Sequence, residues 1–266
     1  MERKDVITST QNPKIKHLLL LQQKSAERRK EGLFVVEGRR ELQHCIDAGF
    51  GIDTIFYSEE LGGRSEELGV GSDYVRVSPS LYERIAYRGG TEGVIAIVRS
   101  RVIGLADLRL KVNPLLIVLE SVEKPGNLGA VMRSADAAGA DAVIVCDPLT
   151  DLYNPNLIRS SIGSVFTVPC VACTSAECIG WLKSNGIRIL TAQLQDSSLY
   201  YDTEMTGPTA IVMGTEATGL TNVWREAADA HIRIPMLGRL DSLNVSVSAS
   251  ILLYEAVRQR GGAVQS

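Results

Sequence analysis

From Leu115 to Gln259 the chain repeats one pattern: a short apolar run, a turn, then a helical stretch. The runs Leu115–Leu119, Ala142–Cys146, Thr167–Val171, Ile187–Thr191, Ala210–Met213 and His231–Ile234 read as strands. Leu115-Leu-Ile-Val-Leu119 is apolar throughout, as a strand buried on both faces must be. Between them, Leu128–Ala138, Pro155–Ser161, Ala176–Ser184, Thr221–Ala228 and Asn244–Gln259 carry helical periodicity. Such alternation predicts an α/β fold with a mostly parallel sheet and helices on both faces.

The first hundred residues are patterned differently. Ser9-Thr-Gln-Asn-Pro-Lys14 predicts a turn into a helix, with Pro13 in its first turn. Strands are predicted at Leu33–Glu37, Thr54–Tyr57, Tyr74–Val77 and Val94–Val98, and helices at Arg39–Ala48 and Pro79–Ile85. A polar-interrupted stretch then ends in Pro114. The expected organisation is a small α/β domain over 1–100, a linker over 101–113 and a larger domain over 114–266.

Composition excludes several classes. With 45% hydrophobic and 22% charged residues, the chain reads as an ordinary soluble protein. No apolar run is long enough to cross a bilayer, and Met1-Glu-Arg-Lys-Asp5 opens no signal peptide, so a cytoplasmic location is expected. Cys170 and Cys173 form a C-x-x-C without a second pair or neighbouring histidines, so no metal site is expected. The net charge of −3 hides an asymmetry: residues 1–40 hold ten Lys/Arg, Arg28 among them, against five Asp/Glu, a local +5. Such a segment is either a solvated helix face or a source of phosphate contacts.

The chemistry concentrates in three strand-to-helix turns of the larger domain, where α/β proteins bind ligands. The first is Glu123-Lys-Pro-Gly-Asn-Leu-Gly-Ala-Val-Met-Arg133. Gly126 and Gly129 bracket Asn127 just before a helix that carries Arg133, whose planar guanidinium suits a phosphate. The second is Gly214-Thr-Glu-Ala-Thr-Gly219, where two glycines flank Glu216. The third runs from Met236 through Ser242-Leu-Asn-Val-Ser246, with Ser242 or Asn244 able to cap the last helix. That helix bears an apolar stripe of Val245, Ala249, Leu252 and Ala256, interleaved with serines, suited to a core or to a dimer face. A dinucleotide fingerprint is faintly mimicked by Gly126, Gly129 and Asp147, but the full G-x-G-x-x-G is absent.

These three segments, in this order, resemble the three motifs of the SpoU branch of the SPOUT RNA 2′-O-ribose methyltransferases. Asn12-Pro-Lys-Ile-Lys16 and Phe34-Val-Val-Glu-Gly-Arg39 resemble that family's L30e-like substrate-binding domain. Ala217-Thr218 departs from the small or Gly-containing pair common there. The resemblance implies a trefoil knot in the larger domain and a homodimer formed through it, with S-adenosyl-L-methionine as cofactor. It implies a cofactor pocket built from Ala192, Gly214, Glu216, Ile234, Met236, Leu243 and Asn244. It places Asn127 and Arg133 at the catalytic positions, and Arg159, Lys14, Lys16 and Arg39 on the RNA side.

An RNA ribose methyltransferase is therefore the expected activity, with ribosomal RNA first and transfer RNA second as substrate. A catalytically silent RNA-binding or ribosome-assembly protein on the same fold is the alternative, and an NAD-dependent oxidoreductase a more distant one. A guanidinium stays protonated in proteins, which makes Arg133 a poor proton acceptor. Its expected role is to hold the adjacent phosphate and the developing alkoxide, with the proton leaving to phosphate or water.

Overall fold

The computed structural model describes residues 6–63, 73–87, 92–215 and 218–262. The chain divides into two compact units: Met1–Arg101 with Asp151–Thr167, and Val102–Thr150 with Val168–Ser266.

In the first unit, α1 (Pro13–Gln23) starts where Asn12 Oδ1 accepts from the Lys14 amide at 2.9 Å. A short α2 (Ser25–Glu31), absent from the sequence reading, stops at Gly32 in the left-handed region. Strand β1 (Leu33–Glu37), helix α3 (Arg39–Asp47), strands β2 (Ile52–Tyr57) and β3 (Asp73–Arg76), helix α4 (Pro79–Ile85) and strand β4 (Val94–Arg99) follow. The strands pair in the order β1-β4-β2-β3, antiparallel except for β2 with β3. Ile15, Leu18 and Leu21 of α1 bury their stripe with Val35, Phe56, Ile95 and Ile97 of the sheet.

The second unit begins with β5 (Leu115–Glu120), α5 (Pro125–Ala137) and β6 (Ala142–Cys146). At Asp151 the chain returns to the first unit, which a single boundary at 101–113 does not provide for. There it forms α6 (Pro155–Ser161) and α7 (Ser164–Thr167). Ring stacking and a buried ion pair are among the contacts that hold this excursion. Tyr153 stacks on Phe34 at 4.2 Å, and Arg28 Nε donates to Asp151 Oδ2 at 2.6 Å. Arg28 Nη1 also donates to the Leu21 carbonyl, at 2.6 Å, so this guanidinium closes the end of α1. It is 5% exposed and does not belong to a basic surface.

The second unit resumes with β7 (Cys170–Cys173), α8 (Ser175–Ser184), β8 (Arg188–Ala192), β9 (Ser198–Leu199), β10 (Thr209–Met213), α9 (Asn222–Ala227), β11 (Ala230–Arg233) and α10 (Val245–Gln259). Its described strands form one seven-stranded sheet, parallel at every pairing, in the order β7-β6-β5-β10-β8-β11-β9. The α/β expectation holds, with two local shifts. The strand expected at Thr167–Val171 lies three residues later, because Ser164–Thr167 closes a helical turn. The helix expected from Leu128 begins at Pro125, whose fixed φ suits a first turn. The stripe Val245, Ala249, Leu252 and Ala256 is buried within this unit.

Candidate active site

Strands β10, β8 and β11 are neighbours in the sheet, and their carboxyl ends open into one cavity of about 340 Å³. Its wall includes Ala192 from β8, Met213 and Gly214 from β10, and Ile234 just beyond β11. Met236, Ser242 and Leu243 from the next loop, with Val245 and Ser248 of α10, complete that side. Of the seven residues expected to form a cofactor pocket, Ala192, Gly214, Ile234, Met236 and Leu243 thus meet around one space. Glu216 lies outside the described residues. Asn244 is not in the wall; it caps α10, its Oδ1 accepting from the Ser246 amide at 2.9 Å.

The turn after β10 explains its glycines. A Cβ on Gly214 would come within 2.2 Å of the Gly219 carbonyl oxygen, so only glycine permits this backbone crossing. Gly219 has a φ of +67°, in the left-handed region. Its amide donates to the Thr215 carbonyl at 3.0 Å, and Thr215 Oγ1 accepts from the Thr218 amide at 3.0 Å. The far end of the turn is tied to β5. Buried Glu120 accepts from the Thr221 amide at 2.8 Å and from Thr221 Oγ1 at 2.6 Å. Thr221 makes no side-chain capping bond to α9. Glu120 had no signal in the sequence, where it reads only as the polar end of an apolar strand.

Asn127 and Arg133 both lie on α5, which packs along α10. The early start at Pro125 puts Asn127 in the first turn, and Gly126 and Gly129 within the helix. Asn244 Nδ2 donates to Asn127 Oδ1 at 3.2 Å, and Ser134 and Ser250 share a hydrogen bond of 2.7 Å one helical turn and more further along. Asn127 is therefore bonded to the residue next to Leu243 in the cavity wall. Arg133 is exposed and does not line the cavity.

The expected RNA-side residues divide between surface and structure. Lys16 is exposed, and exposed Lys14 is paired with Asp73. Arg39 is half-buried, with Nη2 donating to the Gly62 carbonyl at 2.7 Å. Arg159, on α6, lines a cavity of about 280 Å³ in the first unit together with Arg40, Glu37 and Tyr87. The cysteines gather in a way their spacing did not suggest. The sulfurs of Cys146, Cys173 and Cys178 lie within 4.8 Å of one another, and Cys170 is not among them. Hydrogen bonds from Cys146 and Cys178 favour the Cys173 thiolate and hold its pKa well below the usual thiol range, against burial. Burial pushes the Cys45 thiol up to about 12.

The cavity fits S-adenosylmethionine on three counts. Its volume lies in the range of about 300–1,000 Å³ usual for cofactor sites. At Gly214 and Gly219 bare main chain can approach a ligand. Two polar atoms of its wall, Gln193 Oε1 and Arg225 Nε, are buried without a hydrogen-bond partner. Neither Gln193 nor Arg225 was marked by the sequence motifs.

Comparison with known proteins agrees. Residues 114–254 match the model of the SpoU rRNA methylase family, and residues 12–96 that of the MRM3-like substrate-binding domain. The chain is 32% identical to the 23S rRNA (uridine(2479)-2′-O)-methyltransferase of Streptomyces viridochromogenes over 88% of this chain and 85% of that one. It is 29% identical to the 23S rRNA (guanosine(2553)-2′-O)-methyltransferase RlmP of Bacillus subtilis (strain 168), over 93% and 97%. The crystal structure of the SpoU methyltransferase AviRb from Streptomyces viridochromogenes in complex with AdoMet superposes with a TM-score of 0.87, at 30% identity, covering 95% of this chain and all of that one. A parallel sheet opening on a turn that tolerates only glycine, preceded by a substrate-binding unit and matched over most of its length, makes the chain a member of the SpoU rRNA methylase family.

Proposed function

We propose that the protein is an S-adenosylmethionine-dependent RNA 2′-O-ribose methyltransferase acting on ribosomal RNA. The observation that carries this reading is the convergence of Ala192, Gly214, Ile234, Met236 and Leu243 on one cavity beside the Asn244–Asn127 contact. When bound, S-adenosylmethionine supplies a sulfonium methyl that is already electrophilic, so the protein's task is positioning. Main chain around Gly214 and Ile234 binds the cofactor, and Glu120 keeps the Gly214–Leu220 turn in place through Thr221. Asn127, fixed by Asn244, orients the target ribose. Arg133 holds the neighbouring phosphate and the developing alkoxide with its planar fork, and phosphate or water takes the proton.

The first unit, with exposed Lys14, Lys16 and Arg159, docks the RNA. Single-stranded or looped RNA suits it best, because there a ribose can be splayed toward the cavity. The reading includes a homodimer through a knotted larger domain and work in the cytoplasm on ribosomal RNA. Arg133→Lys tests the chemistry: it keeps the charge and loses the fork. We expect turnover to fall by about 100-fold with unchanged cofactor affinity; near-full turnover would remove the bidentate role.

A further inference from the structure

We infer that Arg225 anchors the carboxylate of S-adenosylmethionine in the cavity. This inference rests on the proposed function and assigns a residue to which no motif points. Arg225 stands on α9, where it is half-buried in the cavity wall. Its Nε is buried with no hydrogen-bond partner, and among the described residues no carboxylate forms an ion pair with its guanidinium. The other arginine in the wall, Arg233, donates from Nη1 to Ser197 Oγ at 3.3 Å, so it is already engaged.

Burying the Nε–H of a guanidinium without a partner is unfavourable, and the deficit is met when an anion binds. S-Adenosylmethionine carries one anionic group, its carboxylate, alongside the ammonium, the sulfonium, the ribose diol and the adenine. A second unpartnered atom in the same wall has the opposite need. Gln193 Oε1 is a buried acceptor, while its amide nitrogen donates to the Gln195 carbonyl at 2.9 Å. A wall that offers the Arg225 donor together with acceptors at Gln193 Oε1 and the Asp241 carboxylate matches a zwitterion better than it matches a phosphate of RNA.

Calorimetry with two ligands on the full chain tests this. The ligands are S-adenosylmethionine and its decarboxylated form, which keeps the amine and the sulfonium. Wild type should prefer the carboxylate-bearing ligand by tenfold or more. Arg225→Gln should abolish that preference by weakening S-adenosylmethionine alone, and Arg225→Lys should restore part of it. Equal weakening of both ligands, no weakening of either, or a loss confined to RNA affinity would overturn the assignment. Should Arg225→Gln not fold, the wild-type preference and its reduction in Arg225→Lys decide the matter, and equal wild-type affinities reject it. Failure of wild type to bind either ligand would instead reject the proposed function.

Discussion

Asn244 donates a hydrogen bond of 3.2 Å to Asn127 across 117 residues of chain. The same Asn244 side chain accepts from the Ser246 amide and hydroxyl at the start of α10. One amide thus couples the cap of α10, whose first turn lines the cavity, to the first turn of α5. If Asn127 is positioned this way, its contribution depends on Asn244. Asn127→Ala and Asn244→Ala should each lower turnover, and the double variant should lose far less than the sum of the two. A coupling of about 1 kcal/mol is expected in a double-mutant cycle on kcat/KM. Additive losses would show that the two side chains act separately.

Gly214→Ala places a methyl group where the Gly219 carbonyl already lies, at 2.2 Å. The atoms it meets belong to the main chain of Gly219 and Leu220, so no side chain can swing aside. The turn must open, and S-adenosylmethionine binding should fall by at least about 100-fold, roughly 3 kcal/mol. Circular dichroism should remain close to wild type. Retained binding would mean that the turn is not part of the cofactor site.

Arg28→Ala removes the partner of Asp151, whose side chain is 9% exposed, and leaves a buried carboxylate uncompensated. A loss of about 3–5 kcal/mol is expected for breaking such a pair from one side. Urea denaturation should show it as a lower midpoint for the first unit. Arg29→Ala, on the exposed side of α2, should change stability by less than about 0.5 kcal/mol.

Cys173 should be the thiol alkylated first. Donation from Cys146 and Cys178 keeps its pKa low, so the reactive thiolate persists as pH falls below the usual thiol range. Its labelling rate should stay nearly flat between about pH 6 and pH 8, whereas an ordinary thiol gains nearly tenfold per unit there. Cys45, pushed up to about 12 by burial, should stay unlabelled in the folded state. Mass spectrometry after iodoacetamide pulses reads both; preferential labelling of Cys45 would contradict the assignment.

The parallel sheet was legible because strands buried on both faces are apolar at nearly every position, as Leu115–Leu119 and Ala142–Cys146 are. Gly214 was legible as a turn glycine, whereas Ala192, Ile234, Met236 and Leu243 were expected only through the resemblance to the SpoU motifs. What the sequence concealed depends on contacts between distant segments. The return of Asp151–Thr167 to the first unit rests on Arg28 and Phe34, more than a hundred residues earlier. Charge counting places Arg28 on a surface, since nothing in its neighbourhood marks it for burial. Glu120 and Arg225 were hidden for the same reason: their roles come from Thr221 and from the cavity wall.

The most direct test is methyl transfer to unmodified ribosomal RNA, read by mass spectrometry of the digested nucleosides. Wild type with S-adenosylmethionine should produce one 2′-O-methylated nucleoside, absent with Gly214→Ala and strongly reduced with Arg133→Lys. No ribose methylation on ribosomal RNA, or a methyl found on a base, would contradict the account; methylation of transfer RNA alone would keep the chemistry and overturn the substrate.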